Sequence, residues 1–590
     1  MTGGLVREAL KALGVERLAC AVHDRCLPAD AEHDQGCGAP GGDGAARLLE
    51  FVKELGFDTV QLGPAGEVSL HNLSPYDGTV FSRSRLLVSW SAAVADGLAP
   101  AAALPASGAP SGSRCDYPRA FAQSERAWAA LHAEWEAAGR TDARLDAFVA
   151  AAGPWLQSDA HHRAQSRRFG TTDWRRWPAG VGAGASGQEL ARYAREQWLL
   201  HLQHQGFRAR AHALGLSVWA DLQIGLSHAD VWAHQDCVLR GYAMGAPPSR
   251  TNPEGQPWGY PVLDPGKRDA ARALLAARFT KLFGEYDGVR VDHPHGQVCP
   301  WVYRDAEQDP YAAVRAGGRL HSIGPRPELA PLAAHDIARP EQLDLSVKPW
   351  ADGFVRELDD EQVARYAWVI DLLVQAAGGT ARVACEVLST VPYPLWRVLQ
   401  RHGLGRFRVT GKADVTKADD VYLLDNAAEP DWVMPGTHDT ATLWRAASEW
   451  SGELAKARAA YAARRLSGAD PARAAVLQRW FDGSREALAQ GELALLFTGP
   501  PRNVMLWVGD VLGETDLYNR PGIVHPDNWT WRVPEDFRAL HASRCAKAAA
   551  FDPAAALALA LGARPPAVRE AHAGLLERLR EQARVRLPAV

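Results

Sequence analysis

Eight short apolar, β-branched runs punctuate the chain, at residues 17–23, 57–63, 216–222, 286–292, 382–387, 406–409, 432–435 and 503–508. Their apolar positions are nearly continuous rather than alternating, the pattern of strands covered on both faces. Between most of them the apolar spacing turns helical, as in AARLLEFVKELG before the second run and ARALLAARFTKLFG before the fourth. Strand and helix in alternation predict a parallel α/β sheet, and eight strands predict a closed (β/α)8 TIM barrel.

The runs are unevenly spaced. About 150 residues separate the second and third, too many for one connection in a barrel. The pattern therefore predicts one barrel domain over residues 1–590 with large, mostly helical insertions on its carboxyl-end loops, at about 65–200, 296–380 and 441–500. The first opens with the Pro-, Ala- and Gly-rich stretch APAAALPASGAPSGS. The tail, FDPAAALALALGARPPAVREAHAGLLERLREQARVR, has helical spacing and predicts a pair of surface helices.

Composition narrows the picture. An apolar fraction of 47%, a charged fraction of 23% and a net charge of −4 fit a globular protein, with no pull toward nucleic acid or a membrane surface. Arg7, Glu8 and Lys11 interrupt the start where a signal peptide would be apolar, so a short amphipathic helix and a cytoplasmic location are expected. The eight cysteines are irregularly spaced and contain no CxxC, which predicts buried thiols rather than a disulfide framework. Tryptophan is abundant, with 21 residues. Trp174, Trp177, Trp232, Trp258, Trp529 and Trp531 fall in polar, loop-like segments. Most are expected to pack, but the flanks of Trp258, GQPWGYP, read as a loop and favour an exposed ring that could stack on a sugar.

Three runs end in an acid. YDGVRVDH gives Asp292, ARVACEV gives Glu386, and DWVMPGTHD gives Asp439. In a parallel barrel all carboxyl ends face one mouth. Three acids at one mouth suit glycosyl transfer through a covalent intermediate. Any single acid at a strand end could equally be a helix cap or an ion-pair partner. His293 and His295 could pair on a metal, but no third and fourth ligands are evident. GCGAPG matches a dinucleotide motif, yet the second strand ends in Gln61 rather than an acid, so it reads as a loop.

Several segments together resemble glycoside hydrolase family 77, the 4-α-glucanotransferases or amylomaltases. They are QLGPAG with SPY (Ser74, Pro75, Tyr76), WLQSDAHHRAQSRRFGTTDWRRWP, ADLQIGLSHADVWAH, GAPPSRTNPEGQPWGYP, VRVDH, CEVLS, GTHDT and YNRPGIVHPDNWTWR, spread over about residues 45–535. The resemblance implies Asp292 as nucleophile, Glu386 as general acid/base and Asp439 as the carboxylate that stabilises the transition state. Arg290 and His438 match positions that hold the nucleophile and the sugar hydroxyls. Asp221, Tyr76 and Trp258 match sugar-binding positions, and His293 follows the nucleophile as in the family. The chain departs from the family at Pro294 and His295, at Val387, Leu388 and Ser389, and at Thr440.

The chemistry of these residues sets further expectations. Arg290 lies two residues before Asp292, so both point to one side of a strand, and its charge should keep Asp292 ionised. The uncharged neighbours of Glu386 permit a raised pKa. The implied activity is retaining transfer of α-1,4-glucan segments between maltooligosaccharides, with glucose as an acceptor and no cofactor. Hydrolysis on the same scaffold and glucan binding without turnover are the alternatives. Oligomeric state is not legible in the sequence.

Overall fold

The computed structural model describes residues 2–30, 32–106, 112–179, 184–249 and 252–588. Part of the Pro/Ala/Gly-rich stretch (107–111) and Arg250 and Thr251 of the GAPPSRTNPEGQPWGYP segment lie outside the described residues.

Among the described residues twelve strands are formed: β1 (Arg17–Ala21), β2 (Thr59–Gln61), β3 (Ser217–Leu222), β4 (Val238–Ala246), β5 (Gln256–Leu263), β6 (Gly288–Val291), β7 (Trp301–Arg304), β8 (Gly318–Arg319), β9 (Val383–Cys385), β10 (Phe407–Val409), β11 (Trp432–Met434) and β12 (Asn503–Trp507). Eight make one parallel sheet in the order β10-β11-β12-β1-β2-β3-β6-β9. Around the ring each strand is followed by the next barrel strand in the chain. The sheet is nearly closed. Between its edges Phe407 N–H donates to the Val387 carbonyl at 3.1 Å, just beyond β9. These eight strands coincide with the eight apolar runs of the sequence. They are buried almost throughout because helices cover them outside and side chains fill them inside.

Helices connect most barrel strands: Asp43–Glu54 before β2, Gly187–Ala213 before β3, Arg268–Glu285 before β6, Asp360–Ala377 before β9 and Tyr393–His402 before β10. The link from β10 to β11 carries only two 3-10 turns. Between β2 and β3 stand the helices Tyr117–Ala137, Ala143–Ala152 and Pro154–Phe169, whose apolar faces pack on one another and on Gly187–Ala213. Four helices stand between β11 and β12.

Two features differ from the sequence reading. Residues flanking β6 on both sides build a second, antiparallel sheet in the order β5-β4-β7-β8. GQPWGYP is therefore part of β5 and not a loop. Its Gly and Pro residues sit in an edge strand, where a missing N–H or side chain is tolerated. The tail also differs: Pro553–Gly562 is buried at every position rather than lying on the surface. AAALALALG carries no polar residue, so no face of that helix gains from water. It packs against Thr2–Leu13, Arg485–Leu495 and Ala573–Gln582. All eight cysteines are free and buried. Among the described residues no helix is long and apolar enough to cross a membrane.

Candidate active site

The carboxyl ends of β3, β6, β9 and β11 bring the candidate residues to one mouth. Asp221 on β3 and Arg290 on β6 are direct register partners, so their side chains emerge on the same face of adjacent strands. Asp292 and Glu386 stand just past β6 and β9. Their amides prolong the ladder: Asp292 N–H donates to the Leu222 carbonyl and Glu386 N–H to Val291, both at 3.0 Å. This fixes where each side chain starts. The turn after β11 is held by Thr440, whose Oγ accepts from Thr437 N–H at 2.9 Å and donates to the Thr437 carbonyl at 3.1 Å. That turn places His438 and Asp439.

Arg290 is the hub. It is 2% exposed. Its Nη1 lies 2.6 Å from both oxygens of Asp221. Its Nη2 lies 3.2 Å from Asp292 Oδ1 and 2.8 Å from Glu386 Oε2, as ion pairs rather than aligned hydrogen bonds. Burial alone would weaken its hold on the proton, but Asp221, Glu386, Tyr76 and Asp292 outweigh this and keep it charged. Tyr76 OH donates to Asp221 Oδ2 and meets His438 Nε2, each at 2.9 Å. The Tyr76 and His438 rings stack at 5.5 Å. Asp439 Oδ1 lies 3.4 Å from His438 Nε2 and accepts from Asn519 Nδ2 at 2.7 Å. Unlike the buried Asp221 and Glu386, the Asp439 side chain is partly open to solvent. The Trp258 ring, on β5, sits 5.2 Å from that of His293. The structure thus gathers Asp292, Glu386, Arg290, His438, Asp221, Tyr76, Trp258 and His293 around one mouth, with Asp439 joined through His438.

The protonation pattern departs from the sequence expectation. Asp292 and Glu386 are close enough to hydrogen-bond to each other, so the pair holds one proton. Burial pushes Asp292 well above the usual carboxylate range, the negative charge of Glu386 pushes the same way, and Arg290 offsets only part of this. Burial would also raise Glu386, but the charge of Arg290 holds it down to about 2. These influences favour the shared proton on Asp292 over Glu386. The uncharged sequence neighbours of Glu386 gave no hint of this, because the charge that matters arrives from β6. Burial keeps His293 neutral, and pushes Tyr76 far above its ordinary value.

Residues 26–538 match the signature of the family described as 4-alpha-glucanotransferase, Glyco_hydro_77. The chain belongs to glycoside hydrolase family 77. The 4-alpha-glucanotransferase of Thermus thermophilus is 27% identical over 289 residues, covering 44% of this chain and 55% of that protein. That of Mycobacterium tuberculosis is 29% identical over 211 residues, covering 32% of this chain and 28% of its own. In these alignments the chain spans about half, or less, of the relatives' length. Two solved structures share the fold. The amylomaltase from Streptococcus agalactiae in complex with acarbose has a TM-score of 0.66 at 16% identity, covering 91% of this chain and 100% of that one. The amylomaltase from Corynebacterium glutamicum has a TM-score of 0.62 at 17% identity, covering 92% and 77%.

Three further residues at this site were not among those expected there. His23, just past β1, is buried, packs 4.5 Å from the His438 ring and leaves both ring nitrogens without a partner. Gly63 makes room for it, since a Cβ there would stand 2.6 Å from the His23 ring. Trp529, in the left-handed region at φ 66°, stacks on His23 at 6.0 Å. Asn519 orients Asp439. The available signal was position: His23 ends a barrel strand, and Asn519 and Trp529 lie in the quoted YNRPGIVHPDNWTWR segment. Among the described residues, His23, Asp221 and His438 are the one group whose ligand atoms converge closely enough for a metal. Arg290, 2.6 Å from Asp221, puts a fixed positive charge beside it and disfavours a cation there.

Proposed function

We propose that the chain is a retaining 4-α-glucanotransferase that moves α-1,4-glucan segments between maltooligosaccharides. One observation carries the reading: a single buried guanidinium, Arg290, touches Asp292, Glu386 and Asp221 together. Two carboxyls on one nitrogen fit the ~5–5.5 Å separation of retaining enzymes and leave no space for the water that inverting enzymes hold across roughly 6.5–9.5 Å. Family membership supports the substrate class.

In this reading Asp292 attacks the anomeric carbon, and a glucosyl–Asp292 ester forms as the glycosidic bond breaks. Glu386 donates a proton to the departing oxygen. The shared proton sits on Asp292 before substrate arrives. Positive charge developing at the anomeric carbon favours the Asp292 anion and shifts that proton to Glu386. The incoming 4-hydroxyl of a second glucan, or of glucose, then gives its proton to Glu386 and displaces Asp292. Asp439, with His438, Tyr76 and Asp221, would bind hydroxyls of the distorted ring, and Trp258 and His293 would flank the neighbouring sugar. The reaction consumes no oxidant and needs no metal to balance its protons. Incubation with maltotriose tests the reading: longer oligomers with glucose are expected. Glucose and maltose without longer products mean a hydrolase. Binding with no products means a glucan-binding protein.

A further inference from the structure

The loop that carries Tyr76 is pinched at its base, where Gly66 and Gly78 meet. A Cβ on Gly78 would stand 2.5 Å from the Gly66 Cα, and one on Gly66 2.7 Å from the Gly78 Cα. Between them the chain turns at Ser69 and Asn72, which bridge to each other, and enters the 3-10 turn Pro75–Asp77. Ser74 Oγ caps that turn by accepting from Tyr76 N–H at 3.3 Å. Tyr76 reaches Asp221 and His438, whereas Asp77, the next residue, takes two other partners. Tyr260 OH donates to Asp77 Oδ1, and Asn72 Nδ2 donates to Asp77 Oδ2, each at 2.8 Å.

A bulge in β5 brings Tyr260 to this carboxylate. Between the pairs Met244–Tyr260 and Ala246–Gln256, Gly245 of β4 stands opposite Pro257, Trp258 and Gly259 of β5. Gly259 lies in the left-handed region at φ 74°, which a residue without Cβ adopts freely. Such a bulge bends the strand and re-aims the side chains beside it. Trp258 and Tyr260 flank the glycine, and their rings lie 6.1 Å apart. Tyr260 also packs on the loop after β3, where a Cβ on Gly225 would stand 2.6 Å from its ring. Burial, then Asp77, then Asp292 push the phenol well above its ordinary value, so it stays protonated and serves as donor.

We propose, on the transferase reading above, that Tyr260 is a positioning residue: through Asp77 it fastens the Tyr76 loop to the wall that carries Trp258. Tyr76 is the group that moves if this fastening is lost. It donates to Asp221, Asp221 meets Arg290, and Arg290 meets Asp292 and Glu386. A small displacement of Tyr76 therefore reaches the reacting pair, and misplacement there costs rate.

Steady-state kinetics on maltotriose tests this with Tyr260→Phe, which removes one oxygen and keeps the ring, and with Asp77→Ala and Asp77→Asn. Tyr260→Phe and Asp77→Ala should each lower kcat roughly three- to tenfold, the worth of one net hydrogen bond, with a smaller change in KM and an unchanged thermal midpoint. Asp77→Asn keeps an oxygen for Tyr260 and should recover most of the loss. The double variant Tyr260→Phe/Asp77→Ala should fall no further than Asp77→Ala alone, because both changes break one link. A kcat within about twofold of wild type in Tyr260→Phe would overturn the proposal. So would losses that multiply in the double variant, or Asp77→Asn as slow as Asp77→Ala. A lowered thermal midpoint at unchanged kcat would make the bond a purely structural one. Longer oligomers from the wild type keep the transferase reading whatever the variants do, whereas a wild type that leaves maltotriose intact sinks both.

Discussion

At the scale of single residues the site is a contest for one proton between Asp292 and Glu386, judged by Arg290. Because the pair binds one proton over a wide range, activity should fall as pH drops through the depressed Glu386 value, about 2, and again as pH rises through the raised Asp292 value. The alkaline limb of kcat/KM on maltotriose therefore lies well above an ordinary carboxylate pKa. A limb at pH 4–5 (the ordinary carboxylate range, about 4) would show that the two groups titrate independently. Asp292→Asn should lower transfer by at least about 10³-fold while leaving calorimetric affinity for maltotriose nearly unchanged. Glu386→Gln should cost roughly 10²–10⁴-fold on maltooligosaccharides and far less on an aryl α-glucoside, whose leaving group departs without a proton. Equal loss on both substrates would remove Glu386 from the acid role.

At the scale of elements, the loops after β6 and β9 must hold the two carboxyls in register. His295 supplies a clip between them. Its Nε2 donates to the Thr390 carbonyl at 2.9 Å, tying the Asp292 loop to the Glu386 loop. Burial, with neighbouring His293, lowers its pKa to about 3, so the clip is neutral and indifferent to pH above that value. His295 is in this sense a positioning residue. His295→Phe should lower kcat by about tenfold with less change in KM, and His295→Gln, which keeps a donor, should recover much of it. Steady-state kinetics on maltotriose separates the two. The tail helix makes a different prediction. Leu557, fully buried in Pro553–Gly562, should cost roughly 2–5 kcal/mol when cut to Ala, read as a lower urea midpoint at constant slope. A shift under 1 kcal/mol, about the cost expected of a surface site, would contradict the buried placement.

At the scale of the whole molecule, the chain is closed by contacts between its distant ends. β1 pairs with β12 over five residues, and Arg532 holds Asp34 through two parallel bonds, Nη1–Oδ1 at 2.9 Å and Nη2–Oδ2 at 2.5 Å, across 498 residues of sequence. Both side chains are almost wholly buried. Arg532→Met would remove the guanidinium from the buried Asp34 carboxylate and should cost roughly 3–5 kcal/mol, measurable as a fall in thermal midpoint. The eight barrel strands were legible because a strand covered on both faces is apolar at most positions, whatever it pairs with. The carboxyl-end acids were legible for the same reason, as acids at the ends of such runs. The antiparallel β5-β4-β7-β8 sheet was not legible: Gly and Pro interrupt its two long strands, Val238–Ala246 and Gln256–Leu263, and its members lie on both sides of β6 along the chain. By itself, then, the sequence determined which segments become barrel strands and which acids end them, since burial acts on each segment independently. Only the tertiary structure decided that Arg290 stands between Asp292 and Glu386, that His23 and Asn519 complete the mouth, and on which carboxyl the proton rests, since electrostatic interaction depends on distance in space and the groups involved are far apart along the chain.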